Sequence, residues 1–219
     1  MVLAKIETER STCRERILEA ASSVFLASGF EKTSTAEIAR LAKVSKRELY
    51  THFSDKRALL AAVVLELQGH MGEQMDDTWA SQGPLEEVLL ASAKVLQNFI
   101  LSERFGKLIR IVAAESYASP GIAQQFFDTG PAQGRIATAR YLKQQMASGR
   151  LRKANPDIAA NDFLDLVVGA NSLTAVILGQ TEAEKYKARR IRHAVSAFLM
   201  IYAPDTGNGS DSGPPSRRK

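Results

Sequence analysis

Residues 25–60 read FLASGFEKTSTAEIARLAKVSKRELYTHFSDKRALL. Within that stretch Ser34 precedes Glu37, and Ser45 precedes Glu48, at the Ser-x-x-Glu spacing. Hydroxyl and carboxylate at that spacing can reciprocally satisfy exposed amide donors, so each pair predicts a helix start. The first helix turns Ile38 and Leu41 inward, and Lys43 with Val44 makes the turn to the second. Two short helices joined so tightly predict a helix-turn-helix. In such a unit the second helix enters the major groove. Lys46, Arg47, Tyr50 and Thr51 then face outward, Leu49 and Phe53 anchor the helix, and His52 lies toward the nucleic-acid backbone. Lys46 and Arg47 occupy a first turn, where the helix dipole favours acidic groups; cations there imply an external anion. The competing reading is a solvated helical hairpin, since capping pairs and amphipathic spacing occur in every helical fold.

Working outward, residues 11–28 form a preceding helix with Ile17, Ala20, Ala21, Val24 and Phe25 on one face, ended by Gly29, which completes a three-helix unit. A long fourth helix starts near Asp55 or Lys56 and carries Leu60, Val63, Val64, Leu67, Met71 and Met75 toward Trp79. Further helices are expected from Leu85, from Phe105, over residues 122–128 and 132–147, and in a final amphipathic pair. No strand pattern appears. The expected fold is all-α, about nine helices: a DNA-binding domain over residues 1–54, a larger effector-binding and dimerisation domain over 55–203, and a disordered tail over 204–219, which lacks apolar residues. The basic run Lys185 to Arg192 has helical spacing with Ile191 inward, so a solvated face is favoured over a nucleic-acid patch.

The chain has 219 residues, 45% hydrophobic, with net charge +5. It has no uninterrupted apolar run approaching the ~18–20 residues of a membrane span. One cysteine, Cys13, excludes an internal disulfide framework and fits a reducing, cytoplasmic setting; an inert thiol is favoured over a redox sensor. The histidines, His52, His70 and His193, are too scattered for a ligand set, so neither a metal nor another cofactor is expected. Nor does the chain show a glycine-rich phosphate loop or a Ser-His-acid arrangement, which argues against an enzyme, although a carboxylate such as Glu115 in a cavity could do acid-base work.

From Arg14 to Val64 the chain resembles the DNA-binding domain of the TetR family of bacterial transcriptional regulators. The resemblance rests on Ile17, Leu18, Ala20 and Ala21, then Gly29-Phe30, Thr33-Ser34, Ile38-Ala39, Val44-Ser45, Leu49-Tyr50, His52-Phe53, and Lys56 with Leu59. It implies double-stranded operator DNA as partner. Thr33, Ser34 and Thr35 at one helix start, Ser45 at the next, and Tyr50, His52 and Lys56 would hold phosphates. Lys46, Arg47, Glu48 and Thr51 would be left to read bases. Two departures stand out: Lys43 replaces a frequent turn glycine, so that either Lys43 adopts a left-handed conformation at a steric cost or the turn differs slightly, and Arg47-Glu48 replaces a glycine and a small hydroxyl residue, so operator preference does not transfer.

Residues 109–169, with AAESYASPGIAQQFFDTGP and YLKQQMASGRLRKANPDIAANDFLDLVVG, are similar to the C-terminal domain of AefR-like and some AcrR-like repressors. The resemblance implies a cytoplasmic, nucleoid-associated homodimeric repressor released by a small molecule of unknown identity. Phe163, Val167 and Ala170 on one late helix, with Ala194 and Phe198 on the other, are candidates for the dimer interface; alternatively they complete an intramolecular core. Trp79, Phe99, Phe105, Tyr117, Phe127 and Tyr141, with Glu115 and Asn171 as rare polar groups, are candidates for lining an apolar effector cavity. A protein of this fold that binds a ligand or partner but no DNA is the alternative.

Overall fold

Thr12 starts the first helix with a complete capping box: its hydroxyl accepts from Glu15 N at 3.2 Å, and its own N–H donates to the Glu15 carboxylate at 2.8 Å. The computed structural model describes residues 12–179 and 184–204, apart from the side chains of Asn171, Leu173, Glu184 and Lys185. Over them run ten α-helices and no strand: α1 (Cys13–Ser28), α2 (Thr35–Leu41), α3 (Lys46–His52), α4 (Lys56–Ala80), α5 (Leu85–Ile100), α6 (Glu103–Ser116), α7 (Pro120–Thr129), α8 (Pro131–Ala147), α9 (Pro156–Leu178) and α10 (Glu184–Tyr202). The tail expected beyond Pro204 lies outside the described residues.

Ser34 and Ser45 cap α2 and α3, accepting from Glu37 N at 3.2 Å and Glu48 N at 3.0 Å; the hydroxyl half of each expected box is the half that forms. Leu41 corrects the expected facing. It is 44% exposed, because Ala42, one position further round, fills the inward slot beside Ile38 and Ala39. Lys43 has φ 55°, the first of the two alternatives its place in the sequence leaves open: the left-handed conformation.

Two apolar cores form. The first joins α1–α4 to α6 and α7: Ile17, Phe25, Ile38, Leu49, Leu59 and Leu60 are continuous with Leu108, Val112 and Phe126. The second joins α5, α8, α9 and α10 around Leu89, Leu142, Phe163, Val167, Val195 and Phe198. Full burial of such side chains contributes about 1.5–3 kcal/mol each. The helix-turn-helix therefore has no hydrophobic core of its own; it shares one with the base of the larger domain. Arg104 adds a polar tie, donating to Ser22 Oγ at 3.1 Å.

Phe163, Val167, Ala194 and Phe198, candidates for the dimer interface, are buried within the protomer, and of that set only Ala170 is exposed. Phe163 and Phe198 meet edge to face, their centroids 5.3 Å apart. The inward stripe of a helix pair is what packs intramolecularly, so small and aromatic residues at core spacing were captured by the second core. What α9 and α10 leave outside is Ile158, Ile177, Leu178, Met200 and Ile201, each 47% or more exposed. By length and mean hydropathy (1.3 over 18 residues) α9 matches a membrane span, with a quarter of that window buried in the protomer. Asp157, Asp162 and Asp165 interrupt it, and Asp162 accepts from Tyr202 Oη at 2.5 Å.

Helix α9 breaks at Gly169, where φ is +59°. Gln97 on α5 donates to the Val167 carbonyl just before the break and accepts from Arg190 Nη2 at 2.5 Å. Arg190 thus turns inward from the basic run, while Arg189 and Arg192 are exposed and Ile191 is buried. The exposed charges are the solvated face expected; Glu182, part of that expectation, lies outside the described residues.

A left-handed lysine costs about 1–2 kcal/mol that glycine does not incur, against glycine's greater unfolded-state entropy. Lys43→Gly is therefore expected to stabilise the fold by about 0.5–1 kcal/mol, read as a higher urea midpoint with unchanged slope.

Candidate nucleic-acid interface and ligand chamber

Leu49 is fully buried and Phe53 nearly so, which fixes α3 on the core and leaves Lys46, Arg47, Glu48, Tyr50, Thr51 and His52 exposed along its outer side. None of the ion pairs among the described residues involves Lys46 or Arg47. Tyr50 Oη and Thr35 Oγ1 are hydrogen-bonded at 3.0 Å, tying the two helices through polar groups at the surface. Thr51 donates to Arg47 O at 3.0 Å. Ser34 and Ser45 accept as caps and keep their hydroxyl protons to donate outward.

Two residues assigned to phosphate face inward. Thr33 is buried and donates to Gly29 O at 2.6 Å. The Lys56 ammonium donates to Phe30 O at 2.8 Å and Thr33 O at 3.0 Å, and sits 4.1 Å from the Phe30 ring centroid. Both hold the α1–α2 turn. Glu48 lies beside Cys13 of α1; burial first, then this carboxylate, pushes the Cys13 thiol up from its ordinary value, which disfavours a reactive thiolate.

Between the two cores lies an apolar chamber of about 270 Å³. Phe99, Ile100, Phe105, Phe126, Leu164 and Val168 form its walls, and Gln68 is the one polar side chain in the lining. A second cavity of about 200 Å³ adjoins it, sharing Gln68, Met71, Leu96, Gly130, Gly134 and Leu164, and adds Trp79, Asp76, Gln133 and Arg140. Of the expected ligand set, Phe99 and Phe105 line the chamber and Trp79 the adjoining cavity. Tyr141 stacks behind Trp79 at 4.4 Å, and the Trp79 indole N–H is buried with no hydrogen-bond partner among the described residues.

The other expected contacts fall elsewhere. Tyr117 is 97% exposed, because α6 ends at Ser116, and Phe127 is 56% exposed, because Ile122 and Phe126 occupy the inward face of α7. The Asn171 side chain is outside the described residues. Glu115 faces away from the chamber. It lines an open cleft of about 370 Å³ between the end of α1 and α6, with Phe25, Phe30, Glu31, Lys107, Arg110 and Ile111. Its Oε2 is buried without a hydrogen-bond partner among the described residues. Burial, then the nearby Glu31 carboxylate, holds its carboxyl above the ordinary range, opposed by Arg57 and Lys56. Sequence reading missed Gln68, although an amide between Val64 and Met71 on the apolar stripe of α4 was a readable signal.

An exposed basic second helix of a helix-turn-helix, carried on a larger helical domain, defines a class of DNA-binding protein. Residues 17–63 match the family model of bacterial regulatory proteins, tetR family, and residues 87–204 match that of the AefR-like transcriptional repressor C-terminal domain. The chain belongs to the TetR family and is a DNA-binding transcriptional regulator. It is 26% identical to the HTH-type transcriptional regulator UidR of Escherichia coli K12 over 208 residues, 91% of this chain and 96% of UidR. Among solved structures, the flavonoid-responsive regulator FrrA is 29% identical with TM-score 0.71, covering 88% of this chain and 98% of FrrA. A TetR-family regulator from Mesorhizobium loti shares the fold at TM-score 0.80 and 24% identity, over 87% of this chain and 96% of its own. These relatives are regulators, not enzymes.

The raised Glu115 value favours the folded state at acid pH, a contribution lost as pH rises through it. Glu115→Gln, neutral at every pH, is therefore expected to melt above wild type near pH 8 and together with it near pH 4, in thermal scans across that range.

Proposed function

We propose that this protein is a homodimeric repressor, cytoplasmic and nucleoid-bound, that holds a palindromic operator and releases it when a small, mostly apolar molecule occupies the chamber between its two cores. Residues 1–54 form the DNA-binding domain, and residues 55–203 the effector and dimerisation domain. The observation that carries the reading is the combination of an outward Lys46–Arg47 pair on α3, in no ion pair among the described residues, with an apolar chamber against α4, the helix that begins at the helix-turn-helix. Lys46, Arg47 and Thr51 read bases. Tyr50, His52, Ser34, Thr35 and Ser45 hold phosphates, and Thr33 and Lys56 act by fixing the turn. Glu48 contributes to readout from its place beside Cys13. The second copy covers the exposed apolar strip of α9 and α10, which spaces two recognition helices by about one DNA turn, ~34 Å, or a multiple.

The effector fits aromatic walls. FrrA responds to flavonoids, and a planar aromatic body suits a chamber bounded by Phe99, Phe105 and Phe126. Such a molecule lowers operator affinity by its differential affinity for the DNA-free conformer, and operator DNA must weaken its binding by the same factor.

Selection of fragmented genomic DNA by the purified protein tests the reading: wild type is expected to enrich a palindromic site. Lys46→Ala/Arg47→Ala, with helicity unchanged, is expected to lose at least tenfold in affinity for that site and to relax its sequence preference at the base pairs these side chains read. Equal enrichment by the variant would place the DNA surface elsewhere. For the dimer, Ile177→Asp/Ile201→Asp is expected to sediment as a monomer of native helicity; an intact dimer would move the interface off α9 and α10.

A further inference from the structure

The chamber wall contains one hydrogen-bonding side chain, and it belongs to α4. Gln68 is buried, and both ends of its amide meet the α7–α8 corner: Nε2 donates to Phe126 O at 2.9 Å, and Oε1 lies 2.7 Å from Thr129 Oγ1, whose single proton it shares with Gln125 O at the same distance. The same side chain lines the adjoining cavity. Anything that fills the chamber and carries a polar group therefore meets this amide. Twelve residues back along α4, Lys56 holds the Phe30 and Thr33 carbonyls of the helix-turn-helix, about 18 Å away at 1.5 Å per residue. One continuous helix joins the two grips.

Resting on the regulator reading above, we infer that Gln68 is the residue that both selects the effector and transmits its presence. The ligand is an apolar, ring-bearing molecule with a hydroxyl or carbonyl group that takes over one of Gln68's partners at Phe126 or Thr129. Losing that partner releases α4 from the α7–α8 corner, and Lys56 carries the displacement to the Phe30–Thr33 turn. A wholly apolar molecule of the same size fills the space but leaves both Gln68 bonds in place, and so does not release DNA.

Gly130 offers a test that needs no ligand. A Cβ built there would lie 2.2 Å from Gln68 Nε2 and 2.6 Å from its Cδ. The obstructed atoms are the far end of a flexible side chain; the backbone at Gly130, φ −107° and ψ −83° ahead of Pro131, adds a cost to any Cβ there that is common to G130A and Q68A/G130A. Gly130→Ala is therefore a built-in wedge that drives Gln68 from the corner as the ligand does. With the operator fragment selected by wild type, G130A and Q68A are each expected to bind at least tenfold more weakly, with helicity and dimerisation retained. The double variant Q68A/G130A is expected to be no weaker than Q68A alone, because the wedge has nothing left to displace. Wild-type affinity in folded G130A would overturn the inference. So would a double variant weakened by both factors multiplied, since Gly130 would then act through something other than Gln68.

A readout without DNA separates this inference from the regulator reading. Hydrogen exchange over residues 34–53 is expected to quicken in G130A and Q68A alike. Unchanged exchange in both overturns the coupling, whereas quickened exchange in a protein whose wild type selects no DNA site leaves the coupling standing and sinks the regulator reading.

Discussion

The Lys56 ammonium is the constraint on which the arrangement of the helices depends. It stands at the first residue of the longest helix, donates to two carbonyls of the α1–α2 turn, and lies against the Phe30 ring. Phe30 O already accepts from Thr33 N at 3.2 Å, so the ammonium adds a second donor there and supplies one to Thr33 O. Asp55 caps the same helix, accepting from Ala58 N at 2.8 Å. Between them, these neighbours fix where α4 starts relative to α2 and α3. Any tilt of α4 would be felt at the Phe30–Thr33 turn that these contacts hold.

The second consequence is the seam. Because α6 and α7 complete the first core, and α5, α8, α9 and α10 form the second, apolar side chains from both cores face each other without fully interpenetrating. The space left is the chamber, with Phe126 from one core and Leu96 from the other in its wall. Phe99 and Phe105, 4.7 Å apart, bridge the join between α5 and α6. The break at Gly169 helps keep it open, since α9 turns there and Val168 lines the cavity immediately before it. Arg110, on α6, donates to Val176 O at 2.5 Å and so reaches from the helix beside the α1–α2 turn to the far end of α9.

The helix-turn-helix was legible in the sequence almost residue by residue, because its signals are local: capping hydroxyls, a tight turn at Lys43 and Val44, and anchors at fixed spacing. Even there, sequence could not separate Thr33 and Lys56, which bond to backbone carbonyls, from Ser34 and Tyr50, which remain outside; hydroxyls and ammonium groups suit either task. The chamber was half legible. Phe99, Phe105 and Trp79 could be named as aromatic candidates, but Tyr117 and Phe127 look the same in one dimension, and only the ends of α6 and the phase of α7 turn them to solvent. Glu115 was found as a rare buried acid, yet it serves the α1–α6 junction. The late helices misled for a related reason: periodicity marks the most apolar stripe, and a protomer's own core claims that stripe before any partner can.

The order of the cores along the chain has a consequence during synthesis. The first core draws on no buried residue beyond Phe126, whereas the second is incomplete until Phe198 and Tyr202 have been made. Some seventy residues separate the two points, about 4–15 s of translation at ordinary rates. During that interval the nascent chain can possess a finished helix-turn-helix, packed on α4, α6 and α7, while the far wall of the chamber and the helices that would meet a second copy do not yet exist. On the dimeric, ligand-released reading proposed above, a ribosome that stalls in that window leaves a lone half-reader, unable to span two half-sites and deaf to any small molecule.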